Sequence, residues 1–271
     1  MKVRFFGLSD QGRRREANED AFFASEADGF CLVADGMGGH DSGEVASGMA
    51  VQFFGDRLGR TVPWRARVKP GRETLREAFV RLVRDWVQAA NAAIYERGGR
   101  HTAASGRRMG TTLALLCVVD DFVVCAHVGD SRIYRLRGVR LERLTRDHSV
   151  AGADVEPLLP PGRVRKKKYI TRALGTRPDV EPEVRVHELR AGDRFVLCSD
   201  GLTDHVTDAE ITQSLIEAGD DPDSLRDAPR ALVNLANERG GRDNITVVIA
   251  TVDDFEDLPP PPLEPPPKDE A

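Results

Sequence analysis

Short runs of Val, Ile, Leu and Phe recur along the chain at residues 30–34, 113–119, 122–128, 133–136, 195–198 and 245–252, and they end at Gly, Asp or Ser. Apolar runs of that length, punctuated by turn residues, predict strands and therefore a β-dominated core. The stretch 123–128, then Gly129-Asp130-Ser131, then 132–136 predicts a hairpin, because Gly and Asp supply turn geometry between two apolar runs. A different period predicts the helices. The first begins near Asp41, where Asp41 and Glu44 have capping-box spacing, and continues with Val45, Met49 and Phe53 four residues apart. A second, over about 72–95, places Leu75, Ala78, Phe79, Leu82, Val83, Trp86, Ala90, Ala93 and Ile94 on one stripe. A further pair falls near 208–218 and 224–238, the former preceded by Thr207 with Glu210 three residues on. Helices and strands do not alternate strictly, which favours antiparallel sheet with helical layers over a doubly wound parallel sheet.

Composition narrows the class. With 271 residues, 40% apolar and 31% charged, the chain can bury a substantial core. No apolar run approaches the roughly 20 residues that span a bilayer. The apolar stretch at the start is too short for a signal sequence, and Asp10 interrupts it, so a cytoplasmic protein is expected. Cys31, Cys117, Cys125 and Cys198 each lie inside an apolar run without a Cys-x-x-Cys pair, and read as reduced core residues. A net charge of −5 gives no support for a nucleic-acid surface. The prolines of 259–267 cannot continue a sheet and predict an extended tail, so the expected organisation is a folded domain at 1–253 and a proline-rich tail at 254–271.

Four acids share one context, a strand end or tight turn, mostly beside glycine: Asp35 in Ala34-Asp35-Gly36-Met37-Gly38-Gly39-His40, Asp130 in Gly129-Asp130-Ser131, Asp200 in Ser199-Asp200-Gly201 and Asp243 in Arg242-Asp243-Asn244. A single Asp-Gly pair is most often a plain turn. Several strand ends meeting at one sheet edge would instead gather these carboxylates, and their repulsion would call for cations. All-oxygen ligands favour magnesium or manganese, and two such ions can share a carboxylate and activate water between them. Asn18-Glu19-Asp20 adds a fifth acidic position. The Cys-x5-Arg phosphatase loop, the Gly-x4-Gly-Lys-Ser/Thr loop and the Gly-x-Ser-x-Gly elbow are all missing.

Taken in order, Gly12-x-x-Arg15-x-x-Asn18-Glu19-Asp20, residues 34–40, Met109-Gly110-Thr111-Thr112, Val128-Gly129-Asp130-Ser131-Arg132, Cys198-Ser199-Asp200-Gly201-Leu202 and Gly241-Arg242-Asp243-Asn244-Ile245-Thr246 resemble the motifs of the metal-dependent, type 2C protein phosphatases of bacterial type. The stretches 144–149 and 170–176 resemble those flanking the family's flap. The resemblance implies an α+β fold, a four-layer α-β-β-α sandwich of two antiparallel sheets flanked by helices, with the metal site at one end. It implies that Asp35 bridges two manganese or magnesium ions, the Gly36 carbonyl serves one, and Asp200 with Asp243 holds the other. Glu19 and Asp20 would act directly or through waters, and Asp130 would serve a weaker third ion. Arg15 is similar to the family's phosphate-binding arginine, and His40 to its candidate general acid. The substrates implied are phosphoproteins, targets of a serine/threonine kinase, and the tail is a candidate site for a partner of its own. Two alternatives stand beside this one: a regulatory module that binds phosphoproteins with little turnover, and a two-metal nuclease or nucleotide hydrolase. The segments 60–72 and 98–108 carry no recognisable motif, and the flap at 150–169 ends in the basic run Arg163-Val164-Arg165-Lys166-Lys167-Lys168.

Overall fold

A computed structural model describes residues 2–38, 42–58, 74–105, 108–151 and 168–253. The proline-rich tail, His40, Asp41 and the basic residues Arg163, Arg165, Lys166 and Lys167 lie outside them. The strands are β1 (Lys2–Asp10), β2 (Asp20–Ser25), β3 (Phe30–Met37), β4 (Gly110–Thr111), β5 (Leu113–Val119), β6 (Phe122–Val128), β7 (Arg132–Arg137), β8 (Arg140–Arg143), β9 (Ser149–Ala151), β10 (Lys168–Ile170), β11 (Glu183–Glu188), β12 (Arg194–Cys198) and β13 (Ile245–Asp253). The helices are α1 (Ser42–Leu58), α2 (Leu75–Ser105), α3 (Asp200–Thr203), α4 (Asp208–Ala218) and α5 (Pro222–Glu238).

Two sheets carry the fold, one in the order β1-β13-β12-β7-β8 and the other β11-β6-β5-β3-β2 with β4 appended to β3. Every pairing is antiparallel. The core forms three storeys. Cys31, Val33, Leu116 and Cys125 of one sheet meet Phe195, Leu197, Val248 and Ala250 of the other. Phe30, Leu115 and Val124 face α1 and α2, while Val196, Val247 and Ile249 face α4 and α5. The order is therefore helix, sheet, sheet, helix, as the resemblance implied. All four cysteines are buried and free. Among the described residues no helix is long and apolar enough to cross a membrane.

The structure corrects two local expectations. The stretch 123–136 is not a hairpin: β6 pairs with β5 and β11, whereas β7 pairs with β8 and β12 in the opposite sheet. Gly129, at φ 110°, turns the chain across the sandwich and leaves Asp130 at the crossing. On α1 the buried face is Ala46, Ala50 and Phe54, one residue on from the predicted stripe, and Val45 is 37% exposed. Small residues on that face let the helix approach β3 closely, and Met49 and Phe53 pack at its margin. The capping box of α4 forms as expected, Thr207 accepting from the Glu210 N–H while Glu210 returns the bond.

Candidate active site

The acids converge where strands of both sheets end. Asp20 opens β2 and lies opposite Asp35 on β3. Asp35 is fixed by its backbone: its N–H donates to Thr112 Oγ1 at 2.9 Å, and its carbonyl accepts from Thr112 N and Thr111 Oγ1, both at 2.9 Å. Thr112 Oγ1 in turn lies 2.6 Å from Ser131 Oγ, tying this strand to the crossing that holds Asp130. Gly36 follows at a point of contact that excludes any side chain, since a Cβ there would lie 2.2 Å from the Gly43 carbonyl and 2.5 Å from that of Glu19. Asp200 begins α3 directly after β12, and Gly201 behind it admits the Asn244 carbonyl, which a Cβ would meet at 1.9 Å.

Asn244 organises the other side. Its Oδ1 accepts from the Glu19 N–H at 2.9 Å, and its Nδ2 donates to the carbonyls of Gln11 and Ala17, also at 2.9 Å. The loop bearing Arg15 and Glu19 is thereby clamped beside Asp243, and Arg15 Nη2 reaches Asp243 Oδ2 at 2.6 Å. Thr246 Oγ1 donates to Asp20 Oδ2 at 2.7 Å. The sequence motif contains Asn244, but nothing in its residue type signals a clamp.

Burial raises the carboxyl pKa of Asp35 well above its usual range, and the charges of Asp20, Asp200, Asp130 and Asp243 push it further. Burial also raises Asp20, against the hydrogen bonds from Thr246 and Ser199. Asp130 is raised by burial and by Asp200, Asp243 by burial and Asp200, and Glu19 by burial against the pull of Arg15. Carboxylates forced together in this way signal a site built for cations. The oxygens of Asp130 are shut off from solvent with no well-aligned hydrogen-bond donor among the described residues. The cation facing them is Lys168, whose Nζ lies 3.0 Å from Asp130 Oδ2 and 2.8 Å from Asp200 Oδ2. Burial disfavours that ammonium, yet Asp200 and Asp130 outweigh the penalty and hold its pKa above the ordinary value. Among the described residues, Glu19, Asp20, Asp35, Asp130, Asp200 and Asp243 thus meet two protein cations, Arg15 and Lys168. This excess of hard oxygen donors fits magnesium or manganese.

A second cluster lies beneath the crossing, where His127, His148 and Glu183 bring ligand atoms within 4.8 Å of one another. The Gly129 peptide sets both tautomers, leaving His127 Nδ1 open towards Glu183 and opposing metal binding at His148 alone. His127 Nε2 lies 2.9 Å from the Gly129 carbonyl and carries the proton, while His148 Nδ1 accepts from the Gly129 N–H at 3.2 Å. The proton of neutral His148 is then on Nε2, the atom turned towards Glu183, and a metal there would require the opposite tautomer. The two rings bracket the Gly129 peptide and hold the crossing.

Of the residues singled out in the sequence, Arg15, Glu19, Asp20, Asp35, Gly36, Asp130, Asp200 and Asp243 fall in this one site, and His40 lies outside the described residues. Lys168 is the addition: read from sequence as the end of a basic run, it is a member of the acid cluster. Known proteins resemble the chain as a whole. The protein phosphatase 2C family profile matches residues 11–239. Protein phosphatase PhpP of Streptococcus pneumoniae is 34% identical over 262 residues, covering 91% of this chain and 96% of that protein. Serine/threonine protein phosphatase PstP of Mycobacterium tuberculosis is 35% identical over 94% of this chain and 46% of its own length. The crystal structure of the PstP catalytic domain in complex with two manganese ions superposes with a TM-score of 0.72 at 33% identity, covering 93% of this chain and 99% of that one. PppA of Pseudomonas aeruginosa gives 0.73 at 34% identity, covering 93% and 98%. With its profile match and its relatives in agreement, the chain belongs to the protein phosphatase 2C family.

Proposed function

We propose that this protein hydrolyses phosphoserine and phosphothreonine in other proteins, the targets of a serine/threonine kinase, in the cytoplasm, with residues 1–253 as the catalytic domain. The observation that carries this reading is the crowding of buried, mutually repelling carboxylates around Asp35. Bound manganese or magnesium would supply a hydroxide held between two ions, for direct attack on phosphorus. Asp35 is assigned to both ions, the Gly36 carbonyl to one, and Asp200 with Asp243 to the other. Glu19 and Asp20 would act directly or through water, and Asp130 would serve a weaker third ion. Arg15, half-exposed beside Asp243, receives the phosphate, its planar fork of donors matching the phosphoryl oxygens. His40 is assigned the proton that the departing serine or threonine oxygen requires. A binding module with little turnover is disfavoured, because Asp35 and Asp200 are both in place.

Direct attack by water predicts a single in-line displacement. The test is hydrolysis of a thiophosphoserine peptide whose phosphorus is made chiral by sulfur and two oxygen isotopes, in water carrying the third isotope, combined with acid quenching of the phosphoserine reaction. Inversion and no trapped phosphoenzyme are expected. Retention, or a phosphorylated side chain surviving the quench, would overturn the mechanism.

A further inference from the structure

We propose that Lys168 is a tethered cation that occupies the Asp130–Asp200 end of the site, so that an ion can bind there only by expelling it. The geometry is specific. Asp130 has a fully buried carboxylate with no aligned hydrogen-bond donor among the described residues, and a carboxylate in that condition is stable only beside positive charge. Lys168 supplies that charge, bridging Asp130 and Asp200 at 3.0 and 2.8 Å, with Asp204 Oδ1 at 3.7 Å on its outer side. Its backbone is held in place. Lys168 pairs with Ala151 at one end of the β9–β10 ladder, whose other end is anchored where Thr171 N and Oγ1 both donate to the His148 carbonyl. The ammonium therefore stands at high local concentration against its two carboxylates.

A divalent ion at Asp130 and Asp200 would need the same oxygens, and the two cations cannot share so small a space. Binding there is an exchange, ion in and ammonium out, and its apparent affinity falls by the fraction of molecules in which Lys168 is disengaged. If Lys168 is engaged in 90–99% of molecules, the outer ion is weakened by about 10- to 100-fold. Asp35 and Asp243 have no ion pair with Lys168 among the described residues, so the inner ion held by Asp200 and Asp243 shares one carboxylate with the ammonium, whereas the outer ion shares both. This inference rests on the assignment of Asp130 and Asp200 as cation ligands.

The test is manganese binding, counted by native mass spectrometry and titrated by calorimetry, in wild type, Lys168→Met and Asp130→Asn. Alongside it, modification of Lys168 in wild type by an amine-reactive acetyl ester is followed by peptide mass spectrometry, with exposed Lys2 as the reference. The expected result is a third ion that binds about 10-fold or more tightly to Lys168→Met, is lost in Asp130→Asn, and accelerates acetylation of Lys168 in wild type as it binds. A third ion lost in Asp130→Asn but equally weak in wild type and Lys168→Met would overturn the competition. So would acetylation of Lys168 that manganese leaves unchanged. A third ion that persists in Asp130→Asn would overturn the ligand assignment itself, and with it the inference.

Discussion

Asp20 on β2 and Asp35 on β3 are direct cross-strand partners, two carboxylates facing each other at the end of an antiparallel ladder. Like charges placed opposite one another destabilise a sheet. Here the burial of Asp35 deepens the cost. Its folded pKa is raised, so ionisation opposes folding at any pH above the unfolded value of about 3.9. Asp35→Asn should therefore raise the melting temperature of the metal-free protein at pH 8, by at least about 2–4 °C, a gain of ~1 kcal/mol or more. That gain should shrink towards pH 4. In manganese the order reverses, because the variant cannot hold the ion that stabilises wild type. Thermal melts with chelator and with manganese, at several pH values, check both signs.

Gly36→Ala tests the closeness of α1 to the site. A methyl group would sit 2.2 Å from the Gly43 carbonyl and 2.5 Å from that of Glu19, both backbone atoms that no rotamer change can move. A cost of about 2–4 kcal/mol is expected in denaturant titration, together with loss of manganese affinity. A Gly36→Ala protein of wild-type stability would contradict the packing described here.

The buried histidine pair predicts acid sensitivity. Burial and the neighbouring His148 lower the pKa of His127 to about 4, against the pull of its bond to the Gly129 carbonyl. The unfolded chain takes up this proton near pH 6.5 and the folded chain only near 4, so stability is lost as pH falls through that window. His127→Asn removes the titration. In chelator, wild type should lose about 2 kcal/mol relative to the variant between pH 7 and pH 5. Parallel stability curves would mean that His127 is not held neutral.

Arg15→Ala should raise KM for phosphopeptides and for small aryl phosphates alike, by about 10- to 100-fold, the worth of a charge-assisted hydrogen-bond pair. Lysine should rescue poorly, since it lacks the planar fork. A KM unchanged in both variants would remove Arg15 from phosphate binding.

What could be read in the sequence divides along physical lines. Strands covered on both faces, such as β5, β6 and β13, are almost continuously buried and stand out as apolar runs. The strands that escaped notice include the edges of both sheets: β1 and β8 in one, β2 and β11 in the other. Their residues are mostly half-buried, and a half-buried edge needs no apolar run. The Gly129-Asp130-Ser131 turn misled because a tight turn has the same local chemistry whether it returns to its own sheet or crosses to the other. Most acids of the site were visible because they stand at the ends of apolar strands. Lys168 was not, since a lysine closing a basic run carries no mark of the carboxylates that long-range folding brings to it.

The central claim, a metal-dependent phosphoprotein phosphatase, is tested most directly by phosphoserine peptide hydrolysis in manganese, in magnesium and in chelator, with wild type and Asp200→Asn side by side. The account predicts turnover by wild type with either ion, none in chelator, full recovery when manganese is restored, and no turnover by a folded Asp200→Asn protein under any of the three conditions. Turnover in chelator, or an Asp200→Asn variant that binds manganese and works at the wild-type rate, would contradict it.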